Sequence, residues 1–421
     1  MLVMQSQHQT SRREFLLTSG GAIIATSLGP TLLAGCQGEA IRGLERAYSQ
    51  SNLYWLEVSG DARERGHIHG EALRSVIAES VEGFTEKLAA VGYAQELIQT
   101  FAANSSFEVE MNRRTPHFLE EIRGVAEGAN LPFETMYAYN CFDEMLNVLI
   151  KLSRSGRLEA EAVPGQTELS GCSSMAVWGQ QGVPTLLGQT VDTPYFDGAQ
   201  TVLRVKRPDT DVELLLITAA GNVAGFTGIN NYGIGQAGNS ITTLASASVG
   251  MPTLFLQRAA IESKTRQDGV SFIMSARHAS GANYFVAGPE GCVGIEGSAN
   301  KVVQYNPVRG PGPGAQHLLH TNHPLANDDL NDLAPSGDAS LEGATTQRLD
   351  QLVTLYQGRT QPVTVDTYQE TFATAPICFS RGAGHPVVTT MSAIMECDPN
   401  DPVLHAAGGP PDVTPFVSFR F

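Results

Sequence analysis

A chain of 421 residues, 42% of them hydrophobic, carries enough apolar material for a large core in one domain or two. Its formal net charge is −16 and long Lys/Arg runs are absent. That excludes nucleic acid as a partner, because phosphate binding needs clustered cations; an acidic surface of this kind confers solubility.

In chain order, Ser11-Arg12-Arg13-Glu14-Phe15-Leu16 comes first, a twin-arginine pattern. The apolar stretch from Leu17 to Ala34 is broken by Gly and Pro. It falls short of the ~20 apolar residues a membrane span needs, so residues 1–35 read as an export signal. Leu32-Leu33-Ala34-Gly35-Cys36 resembles the lipobox of bacterial lipoproteins. That resemblance implies acylation of Cys36, a membrane tether, and a periplasmic or cell-surface body exported by the twin-arginine route. The alternative is cleavage by an ordinary signal peptidase.

Beyond the signal, alternation predicts a strand over 54–62, and Leu73, Val76, Ile77, Phe84, Leu88 and Val91 predict a helix. A second helix spans 115–128, with Pro116 in its first turn and Gly128 at its end, and a third runs from Phe133 towards Leu152. Residues 153–171 are polar and rich in breakers, hence a loop. From Ser173 onward short apolar runs separated by turns predict strands at 175–178, 185–188, 202–205, 213–218, 284–287, 318–321 and 389–395. Helical windows interrupt them near Leu254–Glu262 and Thr346–Tyr356. Helices first, then sheet with a few helices, is an α+β arrangement with segments 36–171 and 172–421.

The six cysteines, Cys36, Cys141, Cys172, Cys292, Cys378 and Cys397, contain no CxxC pair. The last three and Cys141 either pair in an oxidising compartment or stay buried as small hydrophobes. A Gly-Cys dipeptide occurs three times, but only Gly171-Cys172 opens a strand after a long polar loop. A hairpin of 172–178 and 184–189 brings Asp192 back beside Cys172. Asn239, His320-Thr321-Asn322-His323 and Arg348 follow in order.

This ordered set resembles the acyl-coenzyme A:6-aminopenicillanate acyltransferase family, itself similar to penicillin V acylases and bile salt hydrolases. The resemblance covers nearly the whole mature chain. It includes Glu57-Val58-Ser59-Gly60, Glu64-Arg65-Gly66 with Gly70, and the run from Glu121 to Ala129. It continues through Gly171-Cys172-Ser173-Ser174, Leu187 to Asp192, and Gly408-Gly409-Pro410-Pro411. It implies a four-layer αββα sandwich of two antiparallel sheets, the N-terminal-nucleophile hydrolase fold, in a precursor cut between Gly171 and Cys172. Cys172 is then the nucleophile and a new N-terminus, and the two processed chains form a heterodimer.

By the same resemblance, Asp192 orients the new α-amine and Asn239 supplies the oxyanion hole. Asn322 binds the α-amine or the substrate, and Arg348 keeps the nucleophile's surroundings electropositive and anchors Asp192. The chemistry is coherent. A free thiol titrates near ~8.5 and needs a base, and an α-amine near ~7.7–8.0 is one. That scheme needs no cofactor and no metal, and the precursor, whose amine is still an amide, is inactive on substrate. Thr190 stands where the family often has Asn, and Gln189 where the bile-salt branch has Arg, which argues against that branch.

Three rivals follow from the same residues. His67, His69, His320 and His323 offer imidazoles to a metal. His278, His320 or His385 offers a base to a conventional Cys–His hydrolase. A lipid-anchored binding module needs no catalysis at all. The sequence favours hydrolysis of an N-acyl amide over transfer, since acyl-coenzyme A is absent outside the cytoplasm. N-acyl amino acids, acylated small molecules, β-lactam amides and small peptides are all open as substrates.

Overall fold

The computed structural model describes residues 51–421 apart from 91–95, 146, 148–170, 194–197, 307, 310–314, 332–343, 357–358 and 381–386. The export signal, Cys36, the loop before residue 171 and His385 therefore lie outside the described residues.

The part before the loop is β1 (Tyr54–Val58) followed by α1 (Ala62–Ala72), α2 (Arg74–Ala90), α3 (Glu96–Asn104), α4 (Phe107–Arg114), α5 (Pro116–Ala129) and α6 (Phe133–Asn140). The helix expected from 73 is preceded by α1, which has no apolar stripe to announce it. What holds α1 is close approach to α5. A Cβ at Gly66 would lie 2.0 Å from the Glu121 carbonyl oxygen, and one at Gly124 2.1 Å from that of Arg63. Only glycine lets two helix backbones meet this way. The helix expected over 133–152 stops at Asn140 and is capped by Cys141, with helical backbone resuming at 142–145. Asn140 explains the break: its amide donates to Met136 and Gly221 carbonyls and accepts from the Val223 N–H, fastening this turn to the second half.

The second half holds β2 (Gly171–Trp178), β3 (Thr185–Thr193), β4 (Gln200–Lys206), β5 (Glu213–Ala219), β6 (Thr227–Asn230) and β7 (Gly235–Ser240). Next come α7 (Thr253–Ile261), α8 (Arg266–Ser275), β8 (Ala282–Gly288), β9 (Gly291–Gly297), β10 (Val302–Tyr305), β11 (Val308–Arg309) and β12 (Gln316–His320). The chain ends with α9 (Ala344–Tyr356), α10 (Val365–Phe372), β13 (Val388–Cys397), β14 (Val403–Ala407) and β15 (Val417–Phe419). Gly171, assigned to the loop from sequence, is buried and already opens β2.

These strands make two sheets, ordered β1-β4-β5-β6-β7-β8-β9-β10 and β11-β12-β2-β3-β13-β14-β15. The sheets face each other, α7 and α8 cover the outer face of the first, and α9 and α10 that of the second. This is the helix–sheet–sheet–helix sandwich expected, with one difference: β1 pairs with β4 in parallel. It is the edge strand that the segment before the loop lends to the sheet. Trp55 of β1 stacks on Phe419 at 5.2 Å, and Gly408 N–H donates to the Ser51 carbonyl at 3.0 Å.

Strand alternation sorts β2 and β3 into two faces. Cys172, Ala176, Trp178, Leu187 and Val191 belong to the core between the sheets. Met175, Val177 and Leu186 pack instead with Leu352, Tyr356, Tyr368 and Phe372 under α9 and α10. The five described cysteines are all buried free thiols, so Cys141, Cys292, Cys378 and Cys397 take the small-hydrophobe option.

Candidate active site

The hairpin β2–β3 pairs Gly171 with Asp192 and Cys172 with Val191. Alternation therefore places the Cys172 side chain in the layer between the sheets and the Asp192 carboxyl on the opposite face, beneath α9. Asp192 thus addresses the backbone at the Gly171–Cys172 peptide. A Cβ at Gly171 would lie 3.0 Å from Asp192 Oδ2 and 3.3 Å from Arg348 Nη2.

The Cys172 N–H donates to Asn322 Oδ1 at 2.8 Å. Arg348 Nη2 donates to the same oxygen at 2.8 Å, while Nη1 donates to the Cys172 carbonyl at 2.6 Å and to Ser173 Oγ at 2.9 Å. Asn322 Nδ2 donates to the Ser240 carbonyl at 2.9 Å, tying this cluster to β7. Asp192, Asn322 and Arg348 are thus brought together around the backbone of Cys172.

Asn239 approaches from the other sheet. A Cβ at its neighbour Gly238 would strike Gln257 of α7, while one at Gly235 would meet Cys397 and Leu187. Odd-numbered residues of β7 therefore face the inter-sheet layer, where the Cys172 thiol lies. Asn239 Oδ1 accepts from Asn283 Nδ2 at 3.0 Å, and Asn283 Oδ1 accepts from the Tyr305 hydroxyl at 2.6 Å. This chain leaves Asn239 Nδ2 buried with no hydrogen-bond partner. A buried donor costs about 1–3 kcal/mol when unsatisfied, so a fixed orphan donor marks a place for an acceptor.

The electrostatics separate the roles further. Burial pushes the Cys172 thiol up to about 12, with Asp192 adding to the rise and a hydrogen bond with Gln189 opposing it. The thiol is therefore inert until a positive charge or a base arrives beside it. Burial also lifts Asp192 to about 6, against the pull of Arg348 and of the Thr389 hydroxyl, which donates to Oδ1 at 2.6 Å. Asp192 Oδ2 has no partner.

The stability consequence has a definite sign. A carboxyl whose folded pKa exceeds the unfolded ~3.9 favours folding while protonated and loses that contribution as pH rises through about 6. In an uncleavable Cys172→Ala precursor, Asp192→Asn should gain stability relative to its parent as pH rises from ~4 to ~7. Urea unfolding at both pH values reads this difference, and a pH-independent difference would remove burial of Asp192 as the cause.

Gln189 caps the open edge of β7. β6 pairs only as far as Gln236, so the Gly238 N–H and carbonyl have no strand partner on that side. Gln189 Oε1 accepts from Gly238 N at 3.0 Å and Nε2 donates to the Gly238 carbonyl. The side chain that replaces the bile-salt arginine is thus occupied by backbone. Beside it lies a cavity of about 20 Å³ touching Cys172, room for about one water.

The histidines take other roles. His320 Nδ1 faces the Thr321 carbonyl at 2.6 Å and Nε2 faces Glu296 at 2.8 Å. Both neighbours are acceptors, so both ring nitrogens carry protons or the pair shares them. Glu296 also accepts from the N–H groups of Leu325, Ala326 and Asn327, which fixes the turn carrying Asn322. His278 bonds the Ile273 carbonyl and the Tyr284 hydroxyl. His69 Nε2 accepts from the Gly221 N–H, and His323 bonds Thr321 and Thr345. Neither His278 nor His320 has a ring nitrogen left for the thiol. Among the described residues no three His, Cys, Asp or Glu side chains converge as a metal site. Sequence reasoning missed Asn283 and Ser240, whose links to the site span 44 and 82 positions, and Glu296, which acts through the 325–327 backbone.

Two facing sheets with outer helices and a cysteine near the head of a central strand define the N-terminal-nucleophile hydrolase type of fold. Residues 179–348 match the acyl-coenzyme A:6-aminopenicillanic acid acyl-transferase family, the one the sequence resembles. That match contains Asp192, Asn239, Asn322 and Arg348 and begins just after β2. No curated protein matches the chain. An N-acylethanolamine-hydrolyzing acid amidase ortholog from Caenorhabditis elegans aligns at 16% identity and TM-score 0.39, over 59% of this chain and 100% of that one. A conjugated bile acid hydrolase from Clostridium perfringens aligns at 10% identity and TM-score 0.38, over 59% and 97%. The family match, over residues 179–348, points to acyl-group chemistry.

Proposed function

We propose that this protein is a self-processing cysteine amidohydrolase that removes an acyl group from an N-acyl amide through a thioester on Cys172. The observation that carries this reading is the paired preparation of the Gly171–Cys172 peptide and of an empty donor. Asn322 accepts from the N–H of that peptide, Arg348 holds Asn322 Oδ1 and the next carbonyl, that of Cys172, and Asn239 Nδ2 stands buried and unpartnered.

The Cys172 thiol attacks the Gly171 carbonyl, the C–N bond breaks as the sulfur takes the acyl group, and water hydrolyses the resulting thioester. The released α-amine keeps Asn322 Oδ1 as an acceptor and gains Asp192 Oδ2 on the Gly171 side. An ammonium there opposes both forces that raise the thiol, since it supplies positive charge and offsets Asp192. The neutral amine is then the general base for its own sulfur, and acylation, tetrahedral oxyanion and deacylation follow at Asn239. Transfer to a bound amine in place of water is the alternative outcome of the same thioester. The twin-arginine and lipobox patterns add export and a lipid tether at Cys36 to this reading.

Intact-mass measurement of the wild type beside Cys172→Ala tests it. The expected result is two chains split before Cys172 in the wild type and one chain in the variant. A wild type that stays whole and active would defeat the mechanism and favour the Cys–His alternative, whereas one that stays whole and inactive would favour a binding lipoprotein.

A further inference from the structure

The cavity at Cys172 has a wall whose chemistry the reaction does not use. Phe142, Val191, Phe226 and Leu254 make it apolar on most sides. Asp143 and Gln257 interrupt that surface. Asp143 is 7% exposed, and Gln257 is 2% exposed. Asp143 Oδ2 accepts from Ser240 Oγ at 2.6 Å. A carboxylate offers about four acceptor sites, and one hydroxyl satisfies few of them. Among the described residues no Lys, Arg or His pairs with Asp143, and none lines the cavity. Glu144, next in the chain, turns away to the Thr253 N–H at 2.9 Å. Gln257 Oε1 is buried with no partner.

A buried carboxylate and a buried orphan carbonyl on one apolar wall are costly unless something donates to them. Of the other polar side chains lining the cavity, Gln189 is held by Gly238, Thr193 Oγ1 bonds Thr390 Oγ1 at 3.3 Å, and Ser240 Oγ already donates to Asp143. Arg348 lies on the other face of β2 and is engaged with Cys172, Ser173 and Asn322. The cavity has no cation among its lining residues, so it rejects an anionic acyl group, and its buried acceptors, the Asp143 carboxyl and Gln257 Oε1, are short of donors.

Resting on the hydrolase reading above, we propose that the acyl group is short and carries a hydrogen-bond donor, an ammonium or a hydroxyl, that takes the place of the one water this cavity has room for and is read by Asp143 with Gln257. It is the acyl side of the amide because the acyl carbon is what bonds to the sulfur on which this cavity opens. The substrate class is thus short aminoacyl or hydroxyacyl amides, and Asp143 is a specificity-determining residue. It comes from the segment before the cut, so both processed chains contribute to the pocket.

The test alkylates Cys172 with 2-bromoethylammonium, 2-bromoethanol and 1-bromopropane, reagents of similar length. Rates are read by intact mass on whichever chain carries Cys172 and divided by those of a neutral reference thiol. The wild type should favour a donor-bearing reagent over bromopropane by about tenfold or more, the size of one charge-assisted hydrogen bond. An ammonium preference assigns aminoacyl substrates and a hydroxyl preference hydroxyacyl ones. Asp143→Asn should collapse the preference for ammonium, and Gln257→Leu should reduce the preference for either donor. The second variant decides alone if the first does not fold. Bromopropane reacting as fast as the donor-bearing reagents, or a preference that both variants leave intact, would overturn the proposal. Failure of the hydrolase reading appears separately, as an uncut wild-type mass, because the alkylation ratio does not depend on turnover.

Discussion

Asn239→Ala should lower kcat by about 10²–10³-fold with little change in KM, the loss seen when one oxyanion donor is removed. The Nδ2 group is already oriented, because Asn283 holds Oδ1 and Tyr305 holds Asn283. It is also already desolvated and unpartnered, so no reorganisation precedes its bond to the oxyanion. Substrate in its ground state gains little from a donor placed for the tetrahedral intermediate, which is why KM should hold. Self-cleavage of the variant should still complete, since a single intramolecular event tolerates a slowing that repeated turnover exposes. Asn283→Ala should show a smaller fall in kcat, because it frees the amide to rotate without deleting it. Steady-state kinetics on an N-acyl anilide, with intact mass beside it, separates these outcomes; unchanged turnover in Asn239→Ala would take this residue out of the oxyanion role.

Cys172 and Asp192 were legible in the sequence from their local setting, whereas Asn239, Asn322 and Arg348 were named from the family resemblance. Cys172 follows a break in composition and begins a strand, and Asp192 lies one hairpin away at the register the turn dictates. The hairpin predicted over 172–189 returns in the structure with Gly171 opposite Asp192. What the sequence did not carry was which face each residue takes. Period-two alternation puts Cys172 and Asp192 on opposite faces, with Asp192 at the Gly171–Cys172 backbone and not beside the sulfur. β6 and β7 were not assigned because glycines at 228, 233, 235 and 238 erase the apolar period that reveals strands. Helix α1 was hidden for a related reason. Its Arg, Glu, His and Gly residues make no stripe, and its contact with α5 is backbone on backbone. Asp143 and Glu296 gave no signal, since an isolated carboxylate in a string does not say whether it will be buried or what will face it.

Glu121→Gln should destabilise the protein by about 3–5 kcal/mol, the cost of stranding buried charges by removing their partner. Glu121 is 2% exposed and lies between Arg65 Nη2 at 3.0 Å and Arg258 Nη2 at 3.5 Å. Both arginines are as deeply buried as Glu121; the variant strands Arg65, while Arg258 keeps its contact with Glu262 at 3.0 Å. Arg63→Ala is the control. Arg63 makes two carboxylate contacts of similar length, to Glu120 and Glu127, but all three side chains are more than two-fifths exposed. Solvent and salt screen exposed pairs, so little stability should be lost with them. Urea unfolding of the two variants compares them directly, and equal effects would show that burial does not decide the outcome. The placement of the pair extends the consequence to the processed enzyme. Arg65 and Glu121 precede the proposed cleavage site and Arg258 follows it, as Asp143 precedes it and Ser240 follows. With β1 as an edge strand of the first sheet, the segment before the cut is part of the core and of the pocket wall. In the cleaved wild type the two chains should therefore elute together in size-exclusion chromatography. In cleaved Glu121→Gln they should separate at lower urea, and activity should fall in step with that separation.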